Sequence, residues 1–298
     1  MRDALPLPGQ YEVPRIPVGD WFAAAVEWLN NNVGPLFDFI DLVLRSAVTG
    51  LADALTFLPV LVMVLVFAAL GLWLRSWRFG LFSLIGFGLI ASMQQFQAAM
   101  QTLSLVLVAT VIAVAIGIPL GILMARSSKV SAVLRPVLDL MQTMPAFVYL
   151  VPVIVFFNIG EVPGVVATVI FSLPPGVRLT ELGIRQVDTE VVEAGEAFGA
   201  PTRKILTGIQ LPLAMPSIMA GINQVIMLAL SMVVIAGMVG APGLGVNIYE
   251  AVTRVRLAQG FEAGLAVVIL AVYLDRITAV LSDRSPVARA ERKAAKTG

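Results

Sequence analysis

The chain has 298 residues, 58% hydrophobic and only 13% charged, with a formal net charge of +1 and a mean hydropathy of +0.92. Ordinary globular domains carry about 25% charged residues, so the deficit, together with long apolar runs, makes this an integral membrane protein. With no Cys, no His and no G-x-x-x-x-G-K-[ST], a disulfide framework, a thiolate or imidazole metal site, the commonest general base and a P-loop are excluded, and the near-zero net charge offers no field for nucleic acid.

Residues 1–20 hold Pro6, Pro8, Pro14 and Pro17 and lack the apolar core of a signal peptide, so an extended segment is expected. Trp21, Ala25, Trp28 and Leu29 then fall on one helical face, and 36–55 mixes Phe37, Ile40, Leu44 and Val48 with Asp38, Asp41, Arg45 and Asp53. These two helices are too charged to span. Residues 1–54 are read as an extension of amphipathic interfacial helices, the alternative being a small cap packed on the bundle.

The membrane domain is expected over 55–281 as about seven spans in an all-α polytopic bundle. Spans are placed at 55–74, at 79–93 and 100–125 inside a charge-free run, at about 136–158, at about 164–178, at 213–239 and at 261–281. Pro136 suits a first turn, with Asp139 placed favourably for the helix dipole; Pro145 and Pro152 predict kinks, and Pro174-Pro175 a break or tight bend. Gly237, Gly240, Pro242, Gly243 and Gly245 interrupt the sixth span, which reads either as a gate or vestibule or as a plain outer loop. Residues 282–298 form a basic tail, suited to anionic lipid or simply to topology.

Arg75 and Arg78, then Arg126, Lys129 and Arg135, then the tail fall on one side, while the turns at 94–99 and 159–163 carry no Lys or Arg. The positive-inside rule puts the C-terminus and the loop 188–212 in the cytoplasm and the N-terminus outside.

That loop is the charged island between two apolar runs, EAGEAFGAPTRKILTGIQLP from Glu193 to Pro212. Asp188 or Thr189 can cap a helix, Glu190 favours its first turn, Gly199 suits a left-handed end, and Pro201 suits the start of a second short helix. Val191, Ala194, Gly195 and Phe198 are expected on one face and Glu190, Glu193 and Glu196 on the other.

The pattern Glu193-Ala194, Gly199, Ile209-x-Leu211-Pro212 resembles the EAA loop of ABC-importer permeases, with Gly195 where that family has a second Ala. Residues 100–281 are similar to the permease subunits of glycine betaine/proline-type importers in the quaternary-ammonium and choline uptake group. The segments 139–152, 210–221 and 227–236 carry the likeness. The resemblance implies a type I ABC-importer permease fold in a bacterial inner membrane, serving osmoprotection. Glu193, Ala194, Gly195, Gly199, Pro201, Ile209, Leu211 and Pro212 would seat on a separate cytoplasmic ATPase that binds the ATP. An extracytoplasmic solute-binding protein and a second permease subunit, as a homodimer, complete the implied assembly. The chain itself would be no enzyme and hold no cofactor or metal.

The spans carry almost no fixed charge, which favours a solute of zero net charge over a proton-coupled pump. Met141, Gln142, Thr143, Pro145, Phe147 and Tyr149 around the fourth span, and Asn223, Gln224 and Ser231 on the sixth, are candidates for the translocation path. Aromatic faces attract a quaternary ammonium, although in spans such residues more often pack or bond between helices. A permease for another small solute, a stand-alone secondary transporter and a non-transporting scaffold are the alternatives.

Overall fold

The computed structural model describes residues 16–283; the Pro-rich start and the tail beyond Asp283 lie outside the described residues. All regular structure among the described residues is helical. The order is α1 (Val18–Thr56), α2 (Val60–Leu74), α3 (Trp77–Ser92), α4 (Phe96–Arg126), α5 (Ser128–Thr143), α6 (Ala146–Phe157), α7 (Glu161–Arg185), α8 (Thr189–Ala197), α9 (Thr202–Ile205), a π turn (Leu206–Gln210), α10 (Leu211–Ser231), α11 (Val233–Met238), α12 (Leu244–Thr253) and α13 (Leu257–Asp283).

Among the described residues four helical stretches are long and apolar enough to cross a bilayer: Phe96–Arg126, Glu161–Arg185, Thr202–Met238 and Leu257–Val280. Two bent pairs, α1 with α2 and α5 with α6, turn by 99° and 97° and raise the count to six. The expectation of about seven included 79–93, which is the apolar helix α3. Its 16 residues reach only about 24 Å against a hydrocarbon core of about 30 Å.

α7 is the central helix, packed between α4 and α10. Close approach needs small residues. A Cβ on Gly121 of α4 would overlap Thr180 and the Val177 carbonyl of α7, and one on Gly183 of α7 would stand 2.7 Å from Ser217 Cβ of α10. Without a hydrophobic force between helices in lipid, such packing is what holds a bundle together. A second core joins the α2–α3 hairpin to α4, α10 and α13. Phe67 stacks on Phe87 with centroids 4.3 Å apart, Tyr273 meets both rings edge-on, and its hydroxyl donates to the Phe67 carbonyl at 3.2 Å.

Three local expectations are corrected. α1 is one 39-residue helix through Pro35, not two; a proline removes one backbone donor, and the helix runs on through that loss. Its second half packs on the bundle. Phe37 stacks on Phe156 at 4.4 Å, Val48 is buried, its carbonyl accepts from Ser104 Oγ, and Arg45 lies 3.8 Å from the buried Glu161. α7 runs unbroken through Pro174-Pro175 to Arg185, with both prolines buried against its neighbours. α5 starts at Ser128, capped by the Ser127 side chain, which accepts from Val130 N. Pro136 and Asp139 therefore lie well inside α5 rather than in its first turn. The expected kink at Pro145 is the 97° corner between α5 and α6, whereas Pro152 is carried within α6.

Candidate functional site

The loop between α7 and α10 is built by local chemistry. Asp188 Oδ1 accepts from Glu190 N at 2.9 Å and caps α8. At the other end Gly199 has φ +73°, Ala200 N donates to the Gly195 carbonyl at 3.1 Å and Gly199 N to that of Glu196 at 2.8 Å. This pair of bonds is a Schellman ending, which needs a residue free to turn left-handed. Pro201 caps α9, and Lys204 N and Ile205 N both donate to its carbonyl. A π turn, Leu206–Gln210, carries the chain into α10.

The motif residues divide into two groups. Gly195, Ile209, Leu211 and Pro212 are half-buried and hold the unit together. Gly195 faces Ile209, and Ile205 and Leu206 are buried beneath. Leu211 packs on Ile184, Ala214 and Ile218, joining the loop to α7 and α10. Glu193, Ala194, Gly199 and Pro201 are exposed. The helical face differs from expectation: Val192 and Gly195 turn inward, while Val191, Ala194 and Phe198 form an outward apolar stripe, with Phe198 92% exposed. The Gly195–Ile209 contact sets that rotation.

The candidates around α5 and α6 share one corner of the fold but not one surface. Met141 is half-buried; Gln142, Thr143, Pro145 and Phe147 are exposed; Tyr149 is buried with Leu150, Ala167, Met232 and Val239. Among the described residues the Tyr149 hydroxyl has no hydrogen-bond partner. On α10 the half-buried Asn223 turns to α13, donating to Asp275 Oδ1 and accepting from Thr278 Oγ1, each at 2.9 Å. Gln224 and Ser231 are exposed, and Ser231 Oγ donates to the Met227 carbonyl at 2.9 Å.

One charged cluster escaped the sequence reading. Glu181 of α7, 4% exposed, accepts from Ser131 Oγ at 2.8 Å, Arg185 Nε at 2.9 Å and Arg135 at 3.2 Å. Arg178 pairs with Asp139 alongside, and a cavity of about 340 Å³ opens between them. Ending the span near Arg178 had put Glu181 outside it; the i,i+4 pair Glu181–Arg185 was the signal that the helix continued.

The family described as "Binding-protein-dependent transport system inner membrane component" matches residues 117–285, more than half of the chain. The chain belongs to that family. It is thus the membrane-spanning permease component of an ABC transport system, and its loop 188–212 lies within the matched region. The glycine betaine transport system permease protein OpuAB of Bacillus subtilis is 51% identical over 266 residues, 89% of this chain and 94% of that one. The glycine betaine/carnitine transport permease protein GbuB of Listeria monocytogenes is 46% identical, covering 92% and 98%. The glycine betaine/proline betaine permease protein ProW of Escherichia coli is 42% identical, covering 95% and 80%. Among solved structures, an inward-facing MetNI methionine ABC transporter aligns with a TM-score of 0.53 at 24% identity, over 63% of this chain and 92% of the other. That likeness concerns the fold alone, and it is the importer-permease fold expected from the sequence.

Proposed function

We propose that this permease forms the path for a small quaternary-ammonium compatible solute, glycine betaine first. It works with a separate cytoplasmic ATPase, which binds the ATP, with an extracytoplasmic solute-binding protein, and with a second copy of itself. The chain hydrolyses nothing and holds no cofactor. The observation that carries the ATP-driven reading is the unit of α8, Gly199 and α9. It is capped at both ends, seated on α7 and α10, and turns Val191, Ala194 and Phe198 outward beside Glu193. An apolar stripe on a rigid support, rimmed by carboxylates, suits a protein groove. The solute class is supported by the relatives' names. Glycine betaine is common to all three, and carnitine and proline betaine stand beside it in two. Each of these solutes joins a quaternary ammonium to a carboxylate. Asn223 serves the α10–α13 contact in this reading, and Met141, Gln142, Thr143, Pro145, Phe147, Tyr149, Gln224 and Ser231 remain candidates for the path.

Reconstitution tests it. The permease with its ATPase and binding protein in liposomes is expected to accumulate glycine betaine only with ATP, and Glu193→Ala is expected to depress that uptake. Accumulation driven by an ion gradient without the ATPase would sink the reading. Orientation has its own test, since the chain contains no Cys. Phe198→Cys is expected to react with an impermeant maleimide in inverted vesicles and Val255→Cys in right-side-out vesicles; the reverse pattern overturns the assigned sidedness.

A further inference from the structure

The glycine-rich segment after α11 builds a second site at the end of the bundle opposite the coupling loop. A cavity of about 680 Å³ lies over α12, between the start of α4 and the α11–α12 turn. Its frame is fixed. Leu244 N donates to Thr102 Oγ1 at 2.8 Å and Asn247 Nδ2 to Gln95 Oε1 at 2.6 Å, tying α12 to α4. The backbones of Gly237 and Gly245 approach more closely than any Cβ would allow, so α11 and α12 cross there in contact.

On this frame Asn247 and Glu250 of α12 and Arg254 at its C-terminal cap line the cavity, beside Tyr249 and with Gln101 of α4 facing them. Glu250 Oε2 and Arg254 NH1 stand 3.9 Å apart, with their side chains 39% and 58% exposed. That is the outer limit of an ion pair, and an exposed pair at that distance contributes little. A ligand therefore meets a carboxylate and a guanidinium with most of their bonding capacity unspent. The volume lies within the range of about 300–1,000 Å³ typical of small-molecule sites.

The chemistry is that of a zwitterion. A quaternary ammonium has no N–H to donate, so it is held by charge and by an aromatic face, here Glu250 and the Tyr249 ring. A carboxylate takes charge-assisted N–H bonds, here from Arg254, with the Gln101 amide within the same cavity. We propose that this cavity is a receiving site on the permease itself for a small zwitterion, its quaternary ammonium against Glu250 and Tyr249 and its carboxylate on Arg254. The inference rests on the solute class proposed above.

The test is equilibrium binding of radiolabelled glycine betaine and choline to the permease–ATPase complex in nanodiscs, with binding protein absent. Choline has the quaternary ammonium but no carboxylate. Arg254→Gln is expected to weaken glycine betaine about tenfold and leave choline within about twofold, as loss of one charge-assisted contact to the carboxylate predicts. Glu250→Gln and Tyr249→Leu are expected to weaken both solutes about fivefold, and Tyr249→Phe to change neither beyond about twofold. All three positions line the cavity, and copurification with the ATPase checks the fold of each variant.

No saturable glycine betaine binding by the wild-type complex, alongside ATP-driven uptake once binding protein is added, overturns the site. So does uptake with solute binding that none of the variants alters. A higher half-saturating concentration of binding protein with solute binding unchanged makes the face a docking surface and also overturns it. A wild-type system that accumulates neither solute with its binding protein overturns the solute class instead.

Discussion

Gly195 leaves the space that Ile209 fills: a Cβ at position 195 would stand 2.8 Å from Ile209 Cδ1 and 3.6 Å from Ile205 Cγ1. The contact joins α8 to the π turn and so fixes the rotation of α8. The related motif carries alanine here, and the atom in the way is the end of a flexible side chain. Gly195→Ala is therefore expected to be tolerated, its gain in helix propensity of up to about 1 kcal/mol offset by the displaced Ile209. Gly195→Val is expected to lift α8 off its seat and abolish copurification with the ATPase. Adding Ile209→Ala is expected to restore part of it. A double-mutant cycle on ATPase binding reads the coupling directly, and additivity would show that the two residues do not share the seat.

Phe198 sits at the tip of the same unit with almost its whole ring in solvent. Nothing inside the chain depends on it, so Phe198→Ala is expected to leave thermal stability in detergent unchanged within about 0.5 kcal/mol. Association with the ATPase is expected to weaken by tenfold or more, about 1.4 kcal/mol, as for a buried aromatic anchor at an interface. Titrating ATPase against the immobilised permease measures this. Unchanged affinity would mean the stripe of Val191, Ala194 and Phe198 is not the contact.

What could be read from the sequence followed the range of the forces involved. The cap at Asp188, the left-handed turn at Gly199 and the restart at Pro201 are decided within a few residues, so they were legible. Which side of α8 faces inward was not, because Ile209 decides it from fourteen positions away. Pro174-Pro175 announced a break that packing suppresses in α7, and the two helices expected before residue 55 are the single helix α1. The seeming absence of fixed charge hid Glu161 and Glu181, whose partners Arg45 and Arg135 come from other helices. The receiving cavity over α12 was visible only as a run of glycines, since its form depends on α4 and α11 meeting α12.

Glu181 is the most deeply placed of these charges. It accepts bonds from Ser131, Arg135 and Arg185, and Arg185 also donates to the Met124 carbonyl of α4 at 2.7 Å. The cluster therefore ties α4, α5 and α7 together just ahead of the loop 188–212. Glu181→Ala removes the buried acceptor, while Arg135 and Arg185, 61% and 39% exposed, can turn to solvent; it is expected to cost roughly 1–3 kcal/mol, chiefly through the lost charge-assisted bonds and the buried Ser131 hydroxyl left without its partner. Glu181→Gln keeps the shape and one acceptor and is expected to cost less. Thermal unfolding in detergent ranks the two, and an equal loss would place the effect in shape rather than charge.

Tyr149 offers the converse case, a polar atom whose removal should help. Its ring is buried against α7 and α11, and its hydroxyl lacks a partner among the described residues. A buried unsatisfied group costs about 1–3 kcal/mol, and phenylalanine keeps the ring. Tyr149→Phe is expected to raise the unfolding temperature of the complex by a few degrees, and to leave glycine betaine uptake at the wild-type rate because any aromatic contact with an ammonium survives. Tyr149→Leu removes the ring and is expected to lower stability by about 1–3 kcal/mol through imperfect packing. Uptake measured on the stability-matched fraction then separates two roles. A rate that falls with Tyr149→Leu but not with Tyr149→Phe places the ring on the path, and a fall with Tyr149→Phe alone would show that the hydroxyl finds a partner in another state of the transport cycle.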